Sequence, residues 1–182
     1  MKHLIVYTHP NPLSFNNALK DILVEVSNDK GHETVIRDLY ELQFDPVLKG
    51  SDFVGFKSGN IPDDIKREQE FITWADMITF IYPIWWTGLP ALLKGYIDRV
   101  LSYGFAYAYG DNGVIKLLPG KKVMILNTCG TPKDMYEATG MIKSMNQTSD
   151  EGIFEFCGIK RYSNENSIVE ISFNYICIYT II

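Results

Sequence analysis

Short apolar runs alternate along the chain with segments whose apolar positions recur every three or four residues. Residues 3–8 (HLIVYT) read as a first strand. Residues 14–28 read as a helix, with Ala18, Leu19, Ile22, Leu23 and Val26 on one face and Gly31 as its stop. Residues 34–38 (TVIRD) form a second strand, and a long connection runs from Leu39 to about Ile61. Pro62 opens a helix that reaches Trp74; Asp63 and Asp64 sit in its first turn, where acids suit the helix dipole. A third strand spans residues 77–82, its helix residues 90–101, and residues 122–127 (KVMILN) are a fourth strand. In the tail, Val169, Ile171, Phe173, Tyr175, Cys177, Tyr179 and Ile181 alternate strictly, which is a strand pattern. No closing amphipathic helix is visible there.

Strands alternating with helices imply right-handed crossovers and a parallel sheet covered on both faces. The expected fold class is α/β, a doubly wound sheet of the flavodoxin type with an atypical or truncated C-terminal edge. A dinucleotide-binding sheet would show G-x-G-x-x-G after the first strand. This chain has Thr8-His9-Pro10-Asn11-Pro12-Leu13-Ser14-Phe15-Asn16 instead. Two units are expected: a domain over residues 1–159 and a divergent tail over residues 160–182.

Composition narrows the functional classes. At 182 residues with 46% hydrophobic content, the chain suits one domain with a sizeable core. A net charge of −5 without a basic run argues against nucleic acid as a partner. No segment has the apolar length of a membrane span, and no signal-peptide layout precedes the first strand. Cys129, Cys157 and Cys177 lack metal-ligand spacing, so reduced thiols in a cytoplasm are expected. His3 and His32 read as surface residues, and Asp98 and Arg99 as solvated or interfacial charges.

Ligands of doubly wound sheets bind outside the carboxyl ends of the strands, where the strand order reverses. Here those loops follow strands one, three and four. The first offers His9, Asn11, Ser14 and Asn16, with Ser14 as a helix N-cap in front of free N–H groups that suit a phosphate; the same residues would also make an ordinary capped helix start. The second, Pro83-Ile84-Trp85-Trp86-Thr87-Gly88, sets aromatic rings beside backbone groups, the usual dress of a pocket for a flat heterocycle, or else of a core corner or a dimer contact. Trp74, at a helix end, reads as packing. The third, Asn127-Thr128-Cys129-Gly130-Thr131-Pro132, combines small residues with hydroxyls. Cys129 alone reads as a small buried thiol, and no Ser-His-Asp or Cys-His set assembles.

Taken in order, these loops resemble the flavodoxin-like NAD(P)H:quinone oxidoreductases, the family of mammalian quinone reductase and its shorter bacterial relatives. The resemblance runs from Lys2 to about Ile159. It is carried by His9-Pro10 with Ser14-Phe15-Asn16, Arg37-Asp38-Leu39-Tyr40, Phe44-Asp45-Pro46 and Glu68-Gln69. Further matches are Tyr82-Pro83 with Trp86, Gly88-Leu89-Pro90-Ala91, Leu93-Lys94-Gly95, Asp98-Arg99-Val100 and Gly104-Phe105-Ala106-Tyr107.

The resemblance implies a flavin, FMN or FAD, with NADH or NADPH as donor and a quinone or similar electrophile as acceptor, in a ping-pong reaction. It implies that His9, Ser14, Phe15 and Asn16 hold the flavin phosphate. Pro83, Ile84, Trp85 and Trp86 would flank the isoalloxazine, and Asn127, Thr128, Cys129 and Gly130 its pyrimidine edge. Tyr136 would steady charge on the ring, and a homodimer would place the acceptor at the subunit interface. The chain departs from the family twice: no histidine follows Tyr136 between Gly140 and Asp150, and nothing after Lys160 matches. The tail therefore reads as a divergent ending or a shifted reading frame. Other readings of the same site are a flavin-binding regulatory subunit of a potassium-efflux transporter, a flavodoxin-like electron carrier, and a folding-impaired remnant.

Overall fold

Seven consecutive buried residues make β3 (Met77–Pro83) the centre of a mostly parallel sheet. The structure, a computed structural model, describes residues 1–162 in full and residues 172–173 and 176–181 as backbone. β1 (Lys2–Tyr7) lies parallel to β3 on one side, with Val6 opposite Phe80, and β2 (Glu33–Asp38) lies outside β1. On the other side β6 (Lys122–Cys129) runs parallel to β3, with Phe80 opposite Ile125. Both faces are covered, so Leu4, Ile5, Val6, Phe80, Ile81 and Ile125 are all at most 2% exposed. Side chains of this kind each contribute roughly 1.5–3 kcal/mol on burial. The doubly wound order β2-β1-β3-β6 matches the expectation.

Helix α1 (Phe15–Asp29) follows β1 and ends as expected before Gly31, which takes φ 69°. Helices α3 (Asp63–Trp74) and α4 (Ala91–Val100) also fall where their periodicity puts them. The long connection after β2 contains an unexpected helix, α2 (Gly50–Ser58). Its sequence, GSDFVGFKS, hides it: two glycines interrupt it, and Phe56 is buried while Phe53 and Val54 face solvent, so no apolar stripe forms. A hairpin also separates α4 from β6, formed by β4 (Tyr107–Gly110) and β5 (Gly113–Lys116). After β6 come two short helices, α5 (Lys133–Ala138) and α6 (Met141–Asn146), and a π-helix over Gln147–Glu155.

The far edge of β6 is shared. β7 (Lys160–Arg161) begins a parallel strand beside Lys122 and Val123. β9 (Ile176–Ile181) then lies antiparallel along Ile125 to Cys129, with β8 (Ser172–Phe173) outside it. The strand expected in the tail is thus present over those backbone segments, antiparallel within an otherwise parallel sheet. Residues 163–171, 174–175 and 182, including Val169, Ile171 and Tyr175 of the alternating pattern, lie outside the described residues.

Two charged or titratable residues expected at the surface are buried. Arg99 is 3% exposed and ties α4 to three segments. Its Nε donates to Asp52 Oδ2 of α2 at 2.9 Å, and its Nη1 donates to Asp64 Oδ2 of α3 at 2.6 Å and to the Asp45 carbonyl at 2.8 Å. The approach is close because α4 carries Gly95: a Cβ there would lie 2.2 Å from the Pro46 carbonyl oxygen. Asp98, by contrast, pairs with Lys94 in solvent. Removing the guanidinium would strand the buried Asp52 carboxylate, a change that typically costs about 3–5 kcal/mol. Arg99→Ala should therefore lower the free energy of unfolding in urea by about that amount. A change below about 1 kcal/mol would show that the cluster contributes little.

His3 is 2% exposed, on β1. Its Nδ1 meets Ser27 Oγ of α1 at 3.0 Å and its Nε2 meets Thr79 Oγ1 of β3 at 2.8 Å. Both hydroxyls can serve a neutral ring. Burial, with smaller contributions from His32 and the amino terminus, pushes the His3 pKa down to about 4. Because the folded value lies below the unfolded one, the contribution to stability is complete above about pH 6.5 and is lost as the pH falls toward 4. The loss is about 1.4 kcal/mol per pH unit in that window. Urea unfolding at a series of pH values should show this slope in the native protein and a flatter one in His3→Gln. Equal slopes in both proteins would contradict the assignment.

Candidate functional site

At the carboxyl ends of β1, β3 and β6 the three loops meet around a cleft of about 270 Å³. It is lined by His9, Ser14, Phe15 and Asn16 from the first loop, Pro83, Ile84 and Trp85 from the second, and Thr128, Cys129 and Gly130 from the third. Ten of the residues expected around a cofactor thus share one wall.

The first loop is preorganised. Ser14 Oγ accepts the Asn17 amide at 3.1 Å and caps α1, which has no acidic residue in its first turn. The positive end of the helix dipole is therefore unopposed there. The Tyr7 hydroxyl sits 3.3 Å from Ser14 Oγ, and burial raises the Tyr7 pKa above its ordinary value, so the phenol stays protonated. His9 Nδ1 lies 3.0 Å from the Asn11 amide nitrogen and 3.2 Å from the Asn11 carbonyl oxygen, so the ring is tied to its own loop through Nδ1 while Nε2 has no hydrogen-bond partner among the described residues.

Behind this rim, buried Asn16 donates from Nδ2 to Thr128 Oγ1 at 2.9 Å and joins the first loop to the third. Asn16 Oδ1 has no hydrogen-bond partner, and neither does Thr8 Oγ1. Buried orphan polar atoms of this kind are rare in folded proteins. Sequence reasoning passes over Thr8 and Tyr7 because each reads as the end of a strand; their place next to His9 is the signal that could have flagged them.

The second loop is pinned to the third by the Ile84 amide, which donates to the Thr128 carbonyl at 2.7 Å. Trp85 then faces the His9 ring at a centroid distance of 6.2 Å. Cys129 is buried, as expected, with Sγ 3.2 Å from the Thr131 carbonyl oxygen. A Cβ on Gly130 would meet no other atom within 4 Å, so the third loop leaves open space at the rim.

Three expected site residues stand apart from the cleft. Trp86 projects fully into solvent. The Asn127 side chain points to the opposite sheet face, with Nδ2 3.4 Å from the Tyr82 hydroxyl. Tyr136 lies on α5, partly buried against the core, and does not line the cleft. Trp74 packs at the end of α3, as expected. Among the described residues no cluster of His, Cys, Asp and Glu could hold a metal ion, and no helix is long and apolar enough to cross a membrane.

Comparison with known proteins gives a consistent picture. A sequence profile described as "Flavodoxin-like fold" matches residues 1–164. The chain is 42% identical over 166 residues to a Haemophilus influenzae protein named as an uncharacterized NAD(P)H oxidoreductase, covering 91% of this chain and 82% of that one. It is 35% identical to the rat NAD(P)H dehydrogenase [quinone] 1 over 86% of this chain, and spans only 65% of the rat protein's length. Among solved structures, the NAD(P)H:quinone oxidoreductase of Methanothermobacter marburgensis superposes with a TM-score of 0.80 at 30% identity, covering 90% of this chain and 84% of that one. General stress protein 14 of Treponema denticola, solved in complex with FMN, superposes with a TM-score of 0.59 at 25% identity, covering 89% and 83%.

Proposed function

The chain belongs to the flavodoxin-like family that includes the NAD(P)H:quinone oxidoreductases, and we propose that it is a flavin-dependent member acting on quinones or related electrophiles in the cytoplasm. The observation that carries this reading is the convergence of the three loops on one cleft. Asn16 Oδ1 has no partner at its floor, and the unopposed start of α1 lies at its rim. A phosphate suits the amides behind Ser14 and the His9 ring, and a polyhydroxyl chain suits the spare Asn16 oxygen. The flat apolar ring suits Ile84 and Trp85. The donor set therefore fits a flavin, and residues 1–159 make up the flavin-binding domain.

A bound flavin would supply the redox chemistry, hydride acceptance from NAD(P)H and hydride donation to the acceptor in a ping-pong sequence. The protein's own part is binding and positioning. Ser14, Phe15 and Asn16 would hold the phosphate end, while Pro83 to Trp85 would flank the ring. Preorganised backbone groups at Thr128 to Gly130 would meet charge at the pyrimidine edge without reorganising. Tyr136, on the helix that follows this rim, would steady charge on the ring only if α5 moved toward the cleft, which it does not line. No protein nucleophile is needed, in keeping with the missing triad. The fully exposed Trp86, near the tip of the second loop, belongs in this reading to an acceptor site completed by a second copy of the chain.

Purified protein should be yellow, or become so with FMN or FAD. NADH or NADPH should bleach it without oxygen and a quinone should restore it, with parallel lines in double-reciprocal plots. A colourless protein that neither flavin reconstitutes would overturn the reading. Trp86→Ala should weaken flavin or acceptor binding more than Trp74→Ala does. Equal flavin affinity and equal turnover in the two variants would count against the assignment of the second loop.

A further inference from the structure

The opposite face of the sheet carries a second cavity, of about 220 Å³, that the cleft does not account for. Side chains along a strand alternate between faces. Tyr82 and Ile84, with Ile125 and Asn127 of β6, therefore line this cavity, while Pro83 and Thr128 line the cleft; Ile84 touches both.

Three departures from ordinary local structure meet around it. One wall is a tight turn in which Trp85 and Gly88 exchange backbone hydrogen bonds at 3.2 and 3.1 Å. Its central residues, Trp86 and Thr87, take φ of 51° and 57°. Such turns favour Asn and Gly at these positions, and non-glycine residues held there gather at ligand sites. The facing wall is the Gln147–Glu155 π-helix, a conformation that is rare and concentrated at functional sites. Finally, the lining residues Asn127 and Asn146 each have a buried amide oxygen without a hydrogen-bond partner.

The chemistry of the walls selects an occupant. Among the described residues no charged side chain lines the cavity, which suits a neutral occupant. Leu89, Ile125, Ile142, Met145 and Ile153 make the rest of the surface mostly apolar. The Ser144, Thr148 and Ser149 hydroxyls donate to the carbonyls of Gly140, Ser144 and Met145 at 3.2, 2.9 and 2.8 Å, and so are not spare donors. What remains unmet are two acceptors, the Asn127 and Asn146 amide oxygens, and two donors, the Tyr82 O–H and the Asn146 amide N–H, which call for a ligand group that both donates and accepts. The volume exceeds the roughly 150 Å³ cavity that holds benzene and falls short of the roughly 300 Å³ at which drug-sized pockets begin. We propose that this cavity is a second small-molecule site, for a neutral single-ring aromatic molecule bearing a hydroxyl donor, that is, a simple phenol. A quinone, which only accepts, would leave both amide oxygens unmet. The inference does not depend on what the cleft binds.

Titration calorimetry of the full-length protein with phenol and with toluene, nearly the same shape without the donor, tests this. Phenol should bind about tenfold more tightly than toluene, the ratio expected for one buried hydrogen bond. Ile153→Trp should fill the cavity and abolish phenol binding. Asn146→Leu should bring the two ligands within about threefold of each other. Should Ile153→Trp fail to fold, Ile142→Phe, on the partly exposed α6, provides the same block. FMN titrated into the same proteins reports on the cleft separately, and its affinity should not change. Equal affinity for phenol and toluene would overturn the proposal, as would phenol binding that survives the filling substitution. Absence of phenol binding would also overturn it, leaving the two oxygens to water alone.

Discussion

The parallel pairing of β3 with β6 is the constraint on which both cavities depend. Its last rungs set Tyr82 opposite Asn127 and Pro83 opposite Thr128. The Ile84 amide then closes onto the Thr128 carbonyl. Because side chains alternate, this single register sends Pro83 and Thr128 to the α1 face and Tyr82 and Asn127 to the other. Slipping the pair by one residue would exchange the two sets and dismantle both sites. The pairing is strongly specified, since β3 is buried along its whole length and tolerates no polar face.

On the α1 face this geometry gathers a capped helix start, a histidine and a linking asparagine beside an aromatic wall. None of these is unusual alone. Together they offer a polar, electropositive end and a flat apolar end in one cleft, the two demands of a phosphorylated heterocycle. The turn at Trp85 to Gly88 serves both faces, because it carries Trp85 to the cleft while its neighbours Ile84 and Leu89 wall the cavity behind. The strained backbone at Trp86 and Thr87 is the local cost of holding that turn.

Much of this was legible in the chain. Buried strands and amphipathic helices announce themselves by period, so β1, β3, β6, α1, α3 and α4 could be read directly, and with them the three loops that bear the cleft. Elements held by tertiary contacts could not. Helix α2 has no apolar stripe because it is fixed by the Asp52–Arg99 pair as well as by Phe56. His3 and Arg99 carry polar labels that conceal their burial, which only the placement of Ser27, Thr79, Asp52 and Asp64 makes tolerable. At the site, loop membership told which residues are near one another but not where side chains point. Asn127 turns to the far face because it is one residue out of phase with Thr128, and Trp86 points outward because of its left-handed backbone.

The central claim is that the cleft at the ends of β1, β3 and β6 is the flavin site. A crystal structure of the protein grown with FMN tests it most directly. The phosphate should lie at the amides behind Ser14, the ring against Ile84 and Trp85, and its pyrimidine edge along Thr128 to Gly130. Flavin bound elsewhere on the molecule, or a cleft that stays empty at saturating FMN, would contradict it.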